Sequence, residues 1–169
     1  MNSNTGTSDL VITGIDPGLV HTGVVRIELL RDLRMIYVSS YAFPGLDPVP
    51  IRTWLDQFRE YQGPVYVEAY RPRSHFNTDA AMVKAVNDFK SALPHAKVLD
   101  NTGVTKVVTN QMLRALELWR FTKATNHQDL RSAARIAILG MLKSEDTNKI
   151  VFQYMDAYLN ETPWKVFRV

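Results

Sequence analysis

The run Leu10-Val11-Ile12-Thr13-Gly14-Ile15 is apolar and rich in β-branched residues, and it stops at Asp16-Pro17-Gly18. No other feature constrains the chain as strongly. A short apolar run closed by a turn signal is a buried strand. Thr22-Gly23-Val24-Val25-Arg26-Ile27-Glu28 then begins to alternate, and Met35-Ile36-Tyr37-Val38-Ser39 follows a charged turn near Arg31-Asp32. Together these segments predict three sequential antiparallel strands.

Beyond them the pattern changes period. Pro44-Gly45 and Pro48-Val49-Pro50 mark a loop, and Trp54, Leu55, Phe58 and Tyr61 place a helix over residues 51–61. Val65-Tyr66-Val67-Glu68 reads as a short strand with an acid at its end. Residues 71–78 read as a basic loop. The spacing of Ala81, Met82, Ala85, Val86 and Phe89 predicts a helix over 79–93, with that face in the core. Ala96-Lys97-Val98-Leu99 is a fifth strand, and residues 110–119 a helix, with Trp54 and Trp119 read as core. Residues 130–142 are rich in alanine and leucine and predict a buried helix. One more helix follows Glu145, then Pro163 and an irregular end. Three antiparallel strands running into strand–helix units imply an α/β fold: a mixed five-stranded sheet with helices on both faces.

Bulk properties narrow the classes. A length of 169 residues suits one domain. The expected organisation is a flexible lead over 1–9, one domain over 10–160 and a tail over 161–169. There is no cysteine, which removes disulfides and thiolate zinc sites. No apolar run approaches the ~20 residues of a membrane span, and the polar start lacks a signal peptide's apolar core, so a cytoplasmic protein is expected. From Arg71 to Lys123 there are nine Lys/Arg against four Asp/Glu, a local balance of +5 within a chain of net +3. A basic middle suits a polyanionic partner; a solvated helix surface is the plain alternative.

Three acids are candidates for chemistry. Asp16 and Glu68 close strands, where sites gather in α/β proteins. Asp129 precedes a long apolar helix. Each has an ordinary reading: a turn aspartate, an edge-strand charge, a helix N-cap. As a set they can converge on one sheet edge, where like charges raise one another's pKa. A hard cation, Mg2+ or Mn2+, relieves that repulsion and leaves coordination positions for phosphate and water. Two such ions suit phosphodiester hydrolysis.

The run Gly14-Ile15-Asp16-Pro17-Gly18-Leu19-Val20-His21-Thr22-Gly23-Val24 resembles the first catalytic motif of the RuvC family of Holliday junction resolvases. Val65-Tyr66-Val67-Glu68 looks like the second, and Asp129-Leu130-Arg131-Ser132-Ala133-Ala134-Arg135-Ile136-Ala137 like the last. Thr105-Lys106-Val107-Val108-Thr109, with Leu113-Arg114-Ala115-Leu116-Glu117-Leu118-Trp119, looks like the shorter RuvC-like endonucleases of bacteriophages. The resemblance implies an RNase H-like fold, a homodimer, two Mg2+ per site with Mn2+ able to substitute, and nicking of four-way DNA junctions. It implies no membrane and no small-molecule cofactor, and a host-cell cytoplasmic location if the source is viral. Carried over by position, Asp16, Glu68 and Asp129 are the metal ligands, and Lys106 stands near the scissile phosphate. The family places a fourth ligand three residues before the last Asp. Here that position is Asn126, with His127 beside it; His127 is the favoured substitute if the chain is not yet helical there. Arg71, Arg73 and His75 follow Glu68 and suit phosphate contacts. Tyr70 and Phe76 suit stacking on opened bases.

Other classes fit less well. A flap, fork or RNA-processing nuclease of the YqgF-like kind shares the acids. A catalytically weak junction-binding module accommodates the missing fourth acid. A phosphate-binding lobe of the sugar-kinase and actin type needs a second Asp-x-Gly loop, which is lacking.

Overall fold

The computed structural model describes residues 10–30, 34–58, 63–72, 77–121, 127–160 and 164–168. Strands β1 (Leu10–Asp16), β2 (His21–Leu30) and β3 (Met35–Pro44) form an antiparallel meander. Helix α1 (Pro48–Asp56) leads to β4 (Val65–Glu68), and α2 (Asn77–Ala92) to β5 (Lys97–Leu99). Short helices α3 (Val104–Val107) and α4 (Asn110–Ala115) precede α5 (His127–Lys143), α6 (Glu145–Asn160) and β6 (Lys165–Arg168). The sheet order is β5-β4-β1-β2-β3-β6, with β4, β5 and β6 joining in parallel pairings. Among the described residues no helix is long and apolar enough to cross a membrane.

Side chains alternate across a strand, and the alternation divides the core in two. Ile12, Val25, Ile27, Leu29 and Tyr66 pack under α5 and α6; Ile15, Val24, Val67 and Phe43 pack with Ile51, Leu55 and Phe89 on the other face. Helices therefore cover both faces. Helix α5 is the central one. Leu130 and the whole run Ala133–Met141 are buried, and only small residues let it approach β1 and β2 so closely. A Cβ on Gly14 would stand 2.7 Å from the Ala137 nitrogen, and one on Gly23 would stand 2.6 Å from the Asp129 carbonyl carbon.

Four expectations change. Among the described residues the sheet has six strands, not five. The end after Pro163 is not irregular: Trp164 packs edge-on against Tyr154 at 5.4 Å, and Lys165–Arg168 then pairs with the free edge of β3. A four-residue edge strand beside proline leaves too short a pattern to read. The expected loop at Pro48-Val49-Pro50 opens α1, because Asp47 accepts the Val49 N–H at 2.9 Å and proline suits a first helical turn. The helix expected over 110–119 ends at Ala115. Glu117 takes a positive φ of 59°, which turns Trp119 out of the helix into a half-buried position.

Candidate active site

Register brings the first two acids together. Ile15 pairs with Val67 across parallel β1 and β4, so Asp16 and Glu68 follow as neighbours at adjoining strand ends. Alternation puts both on the α5 side of the sheet, with Gly14 and Tyr66 one pleat earlier. The close approach of Gly14 and Gly23 presses the first turns of α5 against the same end of β1 and β2. Asp129 is the third residue of α5, since the helix begins at His127; it is not the cap. Its backbone lies directly over Gly23, the partner of Asp16 in the β1–β2 ladder.

The electrostatics record the convergence. Burial raises the Asp16 carboxyl well above the ordinary 3.8, and the charge and hydrogen bond of Glu68 and the charge of Asp129 raise it further. A hydrogen bond from Ser132 pulls the other way. Asp129 is also raised, by burial, and His21 opposes that shift. The His21 Nδ1 stands 4.0 Å from an Asp129 oxygen. Glu68 accepts a hydrogen bond from Asn101 in the turn after β5. Arg135, one turn along α5 from Arg131, is buried and donates to the Val108 carbonyl at 3.2 Å and to Asn110. Burial and the nearby Arg131 lower its pKa, and the charge of Glu68 opposes that.

The donor set fits a hard divalent ion at the Asp16–Glu68 pair. Two carboxylates close enough to share a proton, one of them driven to hold it, are a pair that a cation would relieve. Asp129, whose charge also acts on Asp16, stands beside His21. Among the described residues no three His, Asp or Glu side chains are gathered as a ready ligand set.

The remaining candidates divide. His127 does not face the carboxylates: its Nδ1 accepts the Phe121 N–H at 3.2 Å and its ring stacks on Phe121. Once the chain is helical at residue 127, two positions before Asp129 lies on the far side of α5. Tyr70 donates its hydroxyl to the buried Asp79, so it is anchored and not a free stacking face. Arg71 is exposed and paired with Asp100. Lys106 is exposed on α3. Asn126, Arg73, His75 and Phe76 lie outside the described residues.

Sequence reasoning missed His21, Asn101, Ser132 and Arg135. Ser132 had a signal, because three residues after Asp129 on a helix is a neighbouring position. His21 and Asn101 reach the site only through strand pairing.

No family model matches the chain, and neither does any curated relative. Solved structures do. T. thermophilus RuvC in complex with Holliday junction substrate matches at a TM-score of 0.55 and 16% identity, over 89% of this chain and 96% of that one. The chain has an RNase H-like fold. Two others superpose less closely. The fowlpox virus Holliday junction resolvase has a TM-score of 0.44 and 12% identity, over 80% of this chain and 100% of that one. The Mn-bound large terminase nuclease domain of bacteriophage SPP1 has a TM-score of 0.47 and 10% identity, over 83% and 91%.

Proposed function

We propose that the protein is a metal-dependent, structure-selective DNA endonuclease that resolves four-way junctions by phosphodiester hydrolysis. The observation that carries this reading is the crowding of the buried Asp16 carboxyl by Glu68 and Asp129 at one edge of an RNase H-like sheet. Asp16, Glu68 and Asp129 would hold two Mg2+, or Mn2+ in their place. When bound, such ions lower the pKa of an attacking water and stabilise the leaving oxygen. The chain's own residues do the rest. Asn101 orients Glu68, and Ser132 orients Asp16. His21 stands beside Asp129, where it can hold or pass a proton at its Nδ1. Lys106 and Arg71, both exposed, would meet backbone phosphates at the rim. A homodimer would present two such sites to the two strands of one junction.

The test is cleavage of a labelled four-way junction with Mg2+, beside linear duplex, flap and single-stranded DNA, by wild type and Glu68→Gln. Paired nicks near the branch point, lost in the variant, are expected. Equal cleavage of flaps or single strands would leave a nuclease without junction selectivity. No cleavage with either ion would overturn the enzymatic reading.

A further inference from the structure

A second feature stands at the N-terminal end of α5, on the side away from β1 and β2. Arg114 lies in the last turn of α4, and the turn through Glu117 delivers Trp119 between two arginines. The Arg114 guanidinium lies 4.4 Å from the Trp119 ring centroid and that of Arg131 lies 3.8 Å from it. Arg131 also donates its Nε to the Trp119 carbonyl at 2.9 Å. Arg168 reaches over from β6 and donates to both the carboxylate and the carbonyl of Glu117, each at 2.9 Å. Arg114, Glu117, Trp119, Arg120, Phe121 and Arg168 line an open groove of about 470 Å³, with Arg131 held against the Trp119 ring.

The charge balance is one-sided. Four arginines arrive from α4, the following turn, α5 and β6. The groove's lining holds one carboxylate, Glu117, and Arg168 occupies it. Among the described residues no carboxylate pairs with Arg114, Arg120 or Arg131. An arginine often lies on a tryptophan simply to cover apolar surface. One cation does that. Two stacked guanidiniums with a third beside them repel one another unless an anion is shared. Stacking also fixes each guanidinium plane and leaves N–H donors at its edge, which is the form suited to bidentate phosphate contacts.

Position supplies the rest. His127 packs on Phe121 and Arg131 on Trp119, two residues that line the groove; the charge of Asp129 reaches Asp16; and all three lie within the first five residues of α5. A strand passing the carboxylates across this end of α5 would run on to the arginines. We infer that the groove is a second phosphate-binding track, holding the sugar–phosphate backbone of a nucleic-acid strand away from the point of cleavage. This rests on the nucleic-acid reading of the carboxylate site for the identity of the polyanion.

The test measures binding of a fluorescein-labelled four-way DNA junction by anisotropy, without divalent metal, across a salt series. Arg114→Gln/Arg120→Gln should weaken binding at least ~10-fold and reduce the slope of log K against log salt by about 2, one per lost phosphate contact. Lys143→Gln/Lys149→Gln makes the same charge change on exposed residues at the last turn of α5 and early in α6. It should change affinity less than ~3-fold, since screening leaves distant charges little effect. If the double variant melts early, Arg120→Gln alone, at an exposed position, should lower the slope by about 1. Equal effects of the two pairs, or an unchanged slope in the groove variants, would overturn the track while leaving the carboxylate reading intact. Failure of the wild type to bind any DNA would overturn both.

Discussion

Replacing Gly23 with alanine tests whether the helix–strand contact places Asp129. The new Cβ would meet the carbonyl of Asp129, with its carbon at 2.6 Å and the Leu130 nitrogen at 3.1 Å. These are backbone atoms of a packed helix, so no side chain can swing aside. To regain ordinary contact, 3.4 Å, the start of α5 must move off β2 by about 0.8 Å. Overpacking of this kind costs about 1–3 kcal/mol, and at about 2–4 °C per kcal/mol for a chain of this size Tm should fall by about 2–12 °C. The same movement carries Asp129 away from Asp16. A displacement near 1 Å costs on the order of 100-fold in rate when the group acts in the chemistry. Gly63→Ala is the control. Its Cβ would press on the Val11 backbone near the opposite end of β1, so it should lower Tm and leave the cleavage rate at a temperature below melting within about threefold, far short of that loss. The assay is thermal melting beside single-turnover cleavage of the junction. A Gly23→Ala protein with wild-type Tm would refute the packing argument. One that melts early but cleaves no worse than Gly63→Ala would refute the placement of Asp129 in the site.

Two further outcomes are expected. Asp16→Asn should raise Tm in metal-free buffer while abolishing cleavage, because it removes a buried carboxylate crowded by Glu68 and Asp129. The raised carboxyl binds its proton more tightly in the folded state, so its stabilising contribution is complete below the ordinary 3.8 and is lost as pH rises through the folded value. The Tm advantage of Asp16→Asn should therefore grow with pH across that window; an advantage that shrinks would contradict the shift. Asn101→Ala should slow cleavage by about 10- to 100-fold, the scale of a hydrogen bond to a charged group, with little change in junction affinity. A rate within twofold of wild type would show that Glu68 needs no such support.

Much of the architecture is written locally. The apolar run ending at Asp16-Pro17-Gly18, the alternation over residues 22–28 and the helical spacing over 81–89 each depend on a few neighbouring residues, and the structure follows them. Where local signals were short or mixed, the structure departs from them. Lys165–Arg168 becomes a strand because β3 offers an unpaired edge. Trp119 leaves its helix because Glu117 adopts a left-handed backbone.

The acids were legible as residue types at strand and helix ends, and so was the basic middle of the chain. Their meeting was not. Asp16 and Glu68 are neighbours through a parallel pairing that no local pattern encodes. Asp129 reaches them because Gly14 and Gly23 have no side chains where α5 crosses the sheet. His21, Asn101 and Arg131 take their places through contacts with residues far along the chain. Sequence alone determined which groups could do chemistry and the elements that carry them, because propensity and periodicity act over a few residues. Only the tertiary structure decided which groups share a field, because electrostatic coupling and steric closeness depend on distances in space.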